Sequence, residues 1–329
     1  MLRRSGYTRS MSLLFRDAAG PSLAPGGSVV CVGAFDGVHL GHRALVARVR
    51  ERALEQDLVP LAISFEPIPR EFFARGTPVP RLASAREKIA LLGAAGASRL
   101  LSLRFDANLA AMPAETFIED VLVGRADARE IWVGADFRFG HARRGDVALL
   151  RECGHRLGYN VEVMPDVASD GVRVSSSAIR TFLGAGDFDA EARLLGRRFA
   201  IGGHVVRGQQ LGRKLGWPTA NIRLGRRTSP VAGIFAVRVH GVEAQARAGV
   251  ASLGVRPTID GGGEPLLEAH LFDFDGDLYG RHIEVEFVQK LRDEAKFDDL
   301  DAMVRQIDRD AAQARAILHV ARPSSGVHA

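Results

Sequence analysis

The sequence has few cysteines, with Cys31 and Cys153 as the two among 329 residues. Isolated cysteines outside any CxxC pattern or metal-ligand spacing exclude a disulfide framework and favour a reducing compartment. The chain also lacks the run of roughly 18 apolar residues that a membrane-spanning helix needs. We therefore expect a soluble, cytoplasmic protein without a membrane partner. Hydrophobic residues make up 46% and charged residues 25%, which excludes wholesale disorder and fibrous classes.

Lysine is scarce as well, at positions 88, 214, 290 and 296, so arginine supplies most of the basic charge behind the net charge of +5. A positive net charge favours anionic partners. No basic cluster is interleaved with aromatic residues as a nucleic-acid groove requires, so we expect small phosphorylated substrates and no nucleic acid. The pattern GxxxxGK[ST] is absent, which excludes a P-loop kinase. A monomer and a transient homo-oligomer both fit the sequence.

The first half alternates short apolar runs with stretches of helical periodicity. The predicted strands are 28–33, 59–65, 99–103, 130–134 and 160–164, and the predicted helices are 41–56, 85–95, 113–122 and 146–157. On the first of these helices, Leu45, Val46, Val49 and Ala53 share one face. Strands that alternate with helices predict a parallel sheet with right-handed crossovers. We therefore expect a doubly wound, Rossmann-like α/β domain.

From residue 199 the sequence changes to short β-rich stretches separated by glycine-rich turns. Predicted strands at 199–206, 233–239, 246–253, 265–272 and 282–287 indicate a small antiparallel β-barrel, and a predicted helix at 300–318 packs against it. The length favours two domains. We expect an α/β domain at 28–185, a linker at 186–198 and the barrel domain at 199–322, with a partly disordered extension and first segment at 1–27 and a flexible tail at 323–329. The basic start resembles a transit peptide, but we favour an unstructured extension upstream of a start at Met11.

The first chemical motif follows the first predicted strand and reads Gly33-Ala-Phe-Asp-Gly-Val-His-Leu-Gly-His42. In a doubly wound sheet, ligands bind beyond the carboxyl ends of the strands, where a helix N-terminus offers unpaired N–H groups to phosphate. His39 and His42 bracket Gly41, which lets a triphosphate approach, and imidazole donors there stabilise charge on phosphoryl oxygens. A glycine and histidine turn without a ligand has the same pattern. The HxGH arrangement resembles the signature of the nucleotidylyltransferase superfamily.

A second segment, Val174-Ser-Ser-Ser-Ala-Ile-Arg180, resembles the other phosphate motif of that superfamily, ISSTxIR. The hydroxyls of Ser175, Ser176 and Ser177 can cap a helix and bind an anion, and Arg180 supplies a forked cation for the β and γ phosphates. A serine run is also an ordinary helix cap. The segment Trp132-Val-Gly-Ala-Asp-Phe-Arg-Phe-Gly140 resembles the family segment that borders the nucleotide and flavin. Asp136 is its polar member, or else the cap of the following turn.

A third motif lies in the predicted barrel and reads Gly212-Arg-Lys-Leu-Gly-Trp-Pro-Thr-Ala-Asn-Ile222. Thr219 and Asn221 are two residues apart, so in an extended segment their side chains lie on one side. Their oxygens could then hold magnesium that is already bound to ATP.

With this motif, the whole chain resembles the bacterial riboflavin kinase/FAD synthetase family, which has an N-terminal FMN adenylyltransferase domain and a C-terminal riboflavin kinase barrel. Further matching segments are 253–258, 267–274, 277–280 and 291–297. The resemblance implies that Thr219 and Asn221 hold Mg²⁺ and ATP, and that Glu268 is the general base on the ribityl hydroxyl of riboflavin. The physics agrees, because an alcohol is a poor nucleophile until a carboxylate takes its proton. An outward-facing strand glutamate is the alternative for Glu268.

The resemblance also implies three groups of site residues. The other catalytic residues are His39, His42 and Arg180. The nucleotide-binding residues are Gly33, Phe35, Asp36, Gly41, Ser175, Ser176, Ser177, Gly134, Asp136, Gly212, Lys214 and Pro218. The flavin-binding residues are Phe65, Phe137 and Arg292, where a salt bridge is the alternative for Arg292.

Four positions depart from the usual pattern of the family. Ala34 replaces an asparagine, Ile68 a polar residue, Ser177 a threonine and Val255 a threonine. None of them removes a group assigned to the chemistry. The expected function is phosphorylation of riboflavin to FMN and adenylylation of FMN to FAD, each with ATP, and the second with release of pyrophosphate. The alternatives are an enzyme in which only the kinase works and a flavin-binding regulator without turnover.

Overall fold

The computed structural model describes residues 13–74, 78–208, 212, 216–225, 228–255 and 265–320. The chain forms two compact units. The first comprises the residues up to 79 and 83–176, and the second comprises 80–82 and the residues from 177 onward. The division falls within the serine motif, between Ser176 and Ser177. None of the described helices is long and apolar enough to span a membrane.

A six-stranded sheet forms the centre of the first unit, in the order β1-β4-β3-β2-β5-β6, and all neighbouring strands are parallel. Its strands are β1 (Leu13–Phe15), β2 (Ser28–Val32), β3 (Val59–Glu66), β4 (Arg99–Arg104), β5 (Ala128–Gly134) and β6 (Asn160–Met164). All residues of β2 are buried, because helices cover both faces of a parallel sheet. The doubly wound prediction is confirmed. The short edge strand β1 adds to the predicted set and lies in the segment that we expected to be an extension.

The helices of the first unit pack on both sheet faces. They are α1 (Leu40–Glu55), α2 (Pro69–Phe73), α3 (Ala85–Ala95), α4 (Ala107–Ala111), α5 (Ala114–Thr116) and α6 (Val147–Leu157), together with a π-helical stretch, Phe117–Arg125, a 3-10 turn, His141–Arg143, and the hairpin strands β7 (Ala168–Ser169) and β8 (Val172–Arg173). The predicted apolar face of α1 is buried against one face of the sheet. Residues of the π-helical stretch line the core on the other face.

The second unit contains a closed antiparallel barrel in the order β10-β13-β12-β11-β14-β9. Its strands are β9 (Ala200–Val206), β10 (Ala220–Arg223), β11 (Gly233–His240), β12 (Arg247–Val255), β13 (Pro265–Leu271) and β14 (His282–Arg292), and its helices are α7 (Ser176–Ala185), α8 (Phe188–Leu195) and α9 (Leu300–Leu318). Helix α9 packs on the barrel through Ala311, Ala314 and Leu318. The predicted barrel is confirmed. The segment 186–198, expected as a linker, contains α8, whose Phe188 packs edge-on against Phe235 of β11.

Candidate active sites

The HxGH loop connects the carboxyl end of β2 to the N-terminus of α1. His39 is the N-cap of this helix, and its Nδ1 accepts a hydrogen bond from the backbone N–H of His42 at 3.3 Å. The two imidazole rings stack with their centroids 3.6 Å apart. Since Nδ1 of a neutral His39 is an acceptor, the ring proton lies on Nε2. The loop therefore combines a helix N-terminus with paired imidazoles, which suits an anionic ligand.

Gly41 and Gly33 lack side chains at positions where a Cβ would crowd His39 and Phe35. A Cβ at position 41 would lie 3.3 Å from Cε1 of His39 and 3.4 Å from its Nδ1. A Cβ at Gly33 would lie 3.2 Å from the ring of Phe35. Phe35 has a positive φ of 50° and is fully buried, and its ring meets the His42 ring edge-on at 5.1 Å. The buried Phe35 ring therefore packs against the imidazole of His42.

His42 is kept neutral by its surroundings. Burial lowers its pKa well below 6.5, and the nearby His39 and Lys88 lower it further. Its Nδ1 is buried and has no hydrogen-bond partner among the described residues. A neutral imidazole acts on phosphate as a hydrogen-bond donor and does not contribute a full positive charge.

Lys88 is a residue that sequence reasoning missed. Its ammonium group is buried, donates a hydrogen bond to the carbonyl of Phe65 at 2.7 Å, and lies 3.3 Å from the carboxylate of Glu66. A longer contact of 3.5 Å reaches the carbonyl of Ala34 in the HxGH loop. Lys88 thus connects this loop to the end of β3. The signal that could have found it is the rarity of lysine in this chain.

The structure brings the serine motif to the HxGH loop. The hydroxyl of Ser176 donates to the carbonyl of Asp36 at 2.9 Å, and the carboxyl-bearing side chain of Asp36 is buried. Ser175 lies in the same unit as these residues, while Ser177 and Arg180 lie in the second unit. There, Nε of Arg180 donates to the carbonyl of Pro80 at 2.7 Å.

The end of β5 carries the remaining residues predicted in this unit. A Cβ at Gly134 would meet no atom within 4 Å, so this backbone faces open space. Asp136 is exposed and accepts a hydrogen bond from Arg173 of β8 at 2.7 Å. The ring of Phe137 is half-buried and stacks on Phe139 at 5.4 Å.

Aromatic side chains collect where β3 and β4 end. Phe65 is buried and contacts Phe105 edge-on at 5.8 Å. Phe72 and Phe73 of α2 also contact Phe105, and they are 39% and 60% exposed. These two exposed rings, which sequence reasoning did not single out, offer more open aromatic surface than Phe65 does.

The second unit has a cavity of about 330 Å³ beside the barrel. Its apolar wall includes Trp217, Ile234, Val250, Phe297, Met303 and Ile307, and its polar residues include Thr219, Ser252, Glu268, His270, Arg292, Glu294 and Asp310. Gly212 also lines it, and a Cβ there would lie 2.2 Å from the carbonyl oxygen of Trp217. A largely apolar cavity with a few polar groups suits a flat ring system that carries a polar chain.

The register of the barrel brings the Pro-Thr-Ala-Asn motif to Glu268. Asn221 of β10 lies directly opposite Glu268 of β13, and Ser252 of β12 lies opposite Glu268 on the other side. Directly opposed residues of antiparallel strands point to the same face. Glu268 therefore faces the cavity beside Asn221, although the two residues are far apart in sequence.

Asn221 presents a buried oxygen that makes no hydrogen bond within the described part of the chain. Its Nδ2 donates to the backbone oxygen of Thr219 at 3.2 Å and to Oγ1 of Thr219 at 3.3 Å, whereas its buried Oδ1 makes no hydrogen bond to a described residue. Hard cations bind oxygen ligands, and amide carbonyl and phosphate oxygens are among them. No cluster of three or more His, Cys, Asp or Glu that could hold a metal ion occurs among the described residues. The residues present therefore fit a cation that arrives with a nucleotide.

Thr219 also lines a second cavity of about 230 Å³. Pro218, Asp277 and Tyr279 are among its other lining residues. The Thr219 side chain thus lies between two cavities of one barrel. Lys214, predicted to bind nucleotide, lies outside the described residues.

Arg292 makes the salt bridge that the sequence left as its alternative role. Its Nε and Nη2 donate to the buried carboxylate of Asp310 at 3.0 and 2.7 Å, and Gln306 donates to the same carboxylate at 2.9 Å. Arg292 nevertheless lines the larger cavity. The pair fixes β14 to α9 at the cavity wall, and the guanidinium faces the cavity from that position.

Comparisons with known proteins agree with this division into two sites. Residues 22–178 match the family model for FAD synthetase, and residues 195–318 match the family model for riboflavin kinase. Curated bifunctional riboflavin kinase/FMN adenylyltransferases are similar over most of the chain. The Pseudomonas fluorescens protein is 46% identical over 88% of this chain and 93% of its own length, and the Escherichia coli K12 protein is 42% identical over 91% and 95%.

A solved structure has the same fold. A Streptococcus pneumoniae chain described as a macrolide-efflux protein has a TM-score of 0.77 and is 28% identical, covering 92% of this chain and 99% of its own. The likeness therefore extends over both units.

Proposed function

Because the chain belongs to the family of bifunctional riboflavin kinase/FMN adenylyltransferases, we propose that each of its two units carries out one of the two reactions. The barrel phosphorylates riboflavin to FMN with ATP, and the α/β unit adenylylates FMN to FAD with a second ATP and releases pyrophosphate. The observation that carries the proposal is the register pair of Asn221 with Glu268, because Glu268 and Thr219 line the same cavity. No observation favours the alternative in which only the kinase works.

Glu268 is the proposed general base of the kinase. The ribityl 5′ hydroxyl loses its proton to this carboxylate as its oxygen forms a bond to the γ phosphorus of ATP, and the bond between that phosphorus and the bridging oxygen of ADP breaks. The apolar wall of the larger cavity would hold the isoalloxazine ring and exclude water from the reacting atoms. The smaller cavity, which shares Thr219, would hold part of the nucleotide.

Magnesium is proposed to bind at the Thr219 and Asn221 oxygens together with the phosphates of ATP. The buried Oδ1 of Asn221, which has no hydrogen-bond partner among the residues that the structure describes, supports this assignment. The bound ion would supply charge neutralisation on the transferring phosphoryl group. The hydrogen bond from Nδ2 of Asn221 to Oγ1 of Thr219 keeps the two side chains together on one side of the segment.

His39 and His42 are the proposed donors for adenylyl transfer. A phosphate oxygen of FMN attacks the α phosphorus of ATP, and the bond to pyrophosphate breaks as negative charge accumulates on the leaving group. The Nε2–H of His39 and the N-terminus of α1 can stabilise this charge. The exposed rings of Phe72 and Phe73 are suitable for stacking on the flavin. The roles that the resemblance implies for Ser177, Arg180 and Lys214 stay predictions, as do a cytoplasmic location and the absence of a nucleic-acid partner.

The experiment that tests the proposal separates the two reactions in one protein. Wild-type protein and Glu268→Gln are incubated with ATP and magnesium and either riboflavin or FMN, and the flavins are separated by chromatography. We expect the variant to lose FMN formation by roughly 100-fold or more while FAD formation from added FMN continues at the wild-type rate. FMN formation at a near wild-type rate in the variant would show that Glu268 is not the base. A wild-type protein that makes FMN but no FAD would confine catalysis to the barrel.

A further inference from the structure

His270 lines the larger cavity together with Glu268. The two residues are two apart on β13, so their side chains share a face of the strand. Both line the cavity. This arrangement places an imidazole next to the proposed general base.

His270 contacts Pro218 of the Pro-Thr-Ala-Asn motif, Trp217 of the apolar cavity wall, and Phe272, whose ring lies edge-on at 5.9 Å. Its Nδ1 lies 2.8 Å from the carbonyl oxygen of Pro218. Its ring meets the indole of Trp217 edge-on, with centroids 4.7 Å apart. The imidazole therefore holds two consecutive residues that come immediately before Thr219.

The strand register explains why an imidazole is needed there. Asn221 lies opposite Glu268, and one further pair on the same face would place Thr219 opposite His270. Strand β10, however, begins only at Ala220, so Pro218 is beyond the backbone ladder. The hydrogen bond from His270 replaces a ladder contact at this point. Because a carbonyl oxygen only accepts, the His270 proton must lie on Nδ1.

We propose that His270 is a positioning residue of the kinase, which donates its Nδ1–H to the carbonyl of Pro218 and thereby fixes Thr219 beside Glu268. The inference rests on the kinase function proposed above. It predicts that His270 acts more strongly on nucleotide binding than on riboflavin binding. Burial lowers the pKa of His270, so the ring is neutral at neutral pH and its Nδ1–H bond does not depend on an extra proton.

Two amide variants separate the two ring nitrogens. In His270→Asn the amide nitrogen occupies nearly the position of Nδ1 and can still donate to Pro218, whereas in His270→Gln it lies closer to the position of Nε2. His270→Ala removes both. We expect the glutamine and alanine variants to raise the KM for ATP in riboflavin phosphorylation roughly tenfold, and the asparagine variant to stay within roughly threefold of wild type. The KM for ATP in FMN adenylylation should be unchanged in all three, which reports that the α/β unit is folded, and retained riboflavin binding reports that the barrel is folded.

A binding measurement supplies a readout that does not depend on turnover. Trp132 and Trp217 are the two tryptophans of the chain, so Trp132→Phe leaves Trp217 as the fluorescent reporter of the second unit. Titration with ADP and magnesium should show weaker binding in His270→Ala and His270→Gln than in His270→Asn. The dissociation constant for riboflavin should change less than the dissociation constant for ADP in each variant.

The outcomes separate this inference from the proposed function. Equal kinetics and equal ADP binding in the three variants would overturn the positioning role. Weaker riboflavin binding with unchanged ADP binding would also overturn it, and would make His270 part of the flavin wall. A wild-type protein that neither binds riboflavin nor forms FMN would instead overturn the proposed kinase function itself.

Discussion

Replacing Glu191 by glutamine should remove a pH dependence from the stability of the second unit. Glu191 lies on α8 and is fully buried. One of its carboxylate oxygens accepts a hydrogen bond from the backbone N–H of Phe199 at 3.3 Å, and the other, Oε1, makes no hydrogen bond to a described residue. Burial raises its pKa from 4.5 to about 7, although Phe199 N–H, Arg197 and Arg198 act in the opposite direction.

The sign of the effect follows from which state binds the proton. Below about pH 4.5 the carboxyl group is protonated in both the folded and the unfolded chain, so it makes no difference to stability. As the pH rises, the unfolded chain releases the proton first, and the folded chain retains it up to about pH 7. The free energy of unfolding therefore falls across this window. The rise in pKa from 4.5 to about 7 corresponds to a loss of about 3 kcal/mol.

Glutamine has the same shape and never ionises, so Glu191→Gln should not show this loss. Its amide oxygen can still accept the Phe199 N–H, but its NH₂ group needs a partner, which costs about 1–3 kcal/mol at every pH. The informative quantity is thus the difference in unfolding free energy between the two proteins as a function of pH. This difference should change by about 3 kcal/mol in favour of the variant between about pH 4.5 and about pH 8.

The assay is urea unfolding followed by Trp217 fluorescence in a Trp132→Phe background, which reports on the second unit. Glu284→Gln is the matched control, because Glu284 lies on the exposed face of β14. Its difference from wild type should be flat over the same pH range. A flat difference for Glu191→Gln as well would refute the reasoning, since it would mean that the buried carboxyl group does not titrate differently in the folded chain.

Two further predictions concern the α/β unit, and each uses the kinase reaction of the same protein as its internal control. Gly41→Ala places a Cβ 3.3 Å from Cε1 of His39, so the imidazole must shift, and FAD formation from FMN should fall roughly tenfold. The control is Gly184→Ala, which should have no effect because a Cβ there meets no atom within 4 Å. Equal rates of FAD formation in the two variants would contradict the argument that the Cβ at position 41 crowds His39. Lys88→Met removes the ammonium group that donates to the Phe65 carbonyl and pairs with Glu66. The variant should form FAD more slowly, and the pKa of His42, measured by NMR, should rise toward 6.5. An unchanged His42 titration would show that the Lys88 charge does not act on the histidine pair.

Most of the architecture follows from local patterns. The helical face formed by Leu45, Val46 and Val49 is buried as its spacing predicts, and the apolar runs at 28–33 and 130–134 are central strands. Besides the two-residue hairpin strands β7 and β8, the strands that were missed are β1 and β10. Both are short, with three and four residues, and β10 follows a proline, so neither has enough residues for a periodicity to be visible. Their extended conformation depends on pairing with neighbouring strands, which are β4 for β1 and β9 and β13 for β10.

The sequence by itself determined the chemistry that each short segment can offer. The spacing of His39 and His42 around Gly41 predicts a loop that admits a triphosphate between two imidazole donors, and the spacing of Thr219 and Asn221 predicts two oxygens on one side of an extended segment. These are properties of neighbouring residues, whose geometry is fixed by the backbone between them.

Only the tertiary structure decided which distant groups meet. Asn221 faces Glu268 because β10 and β13 pair in one register, and a shift of one residue would turn Glu268 away from the cavity. Lys88 reaches the end of β3, His270 reaches Pro218, and Arg292 reaches Asp310. Each of these contacts joins separate elements, and it depends on how the elements pack and not on any spacing along the chain.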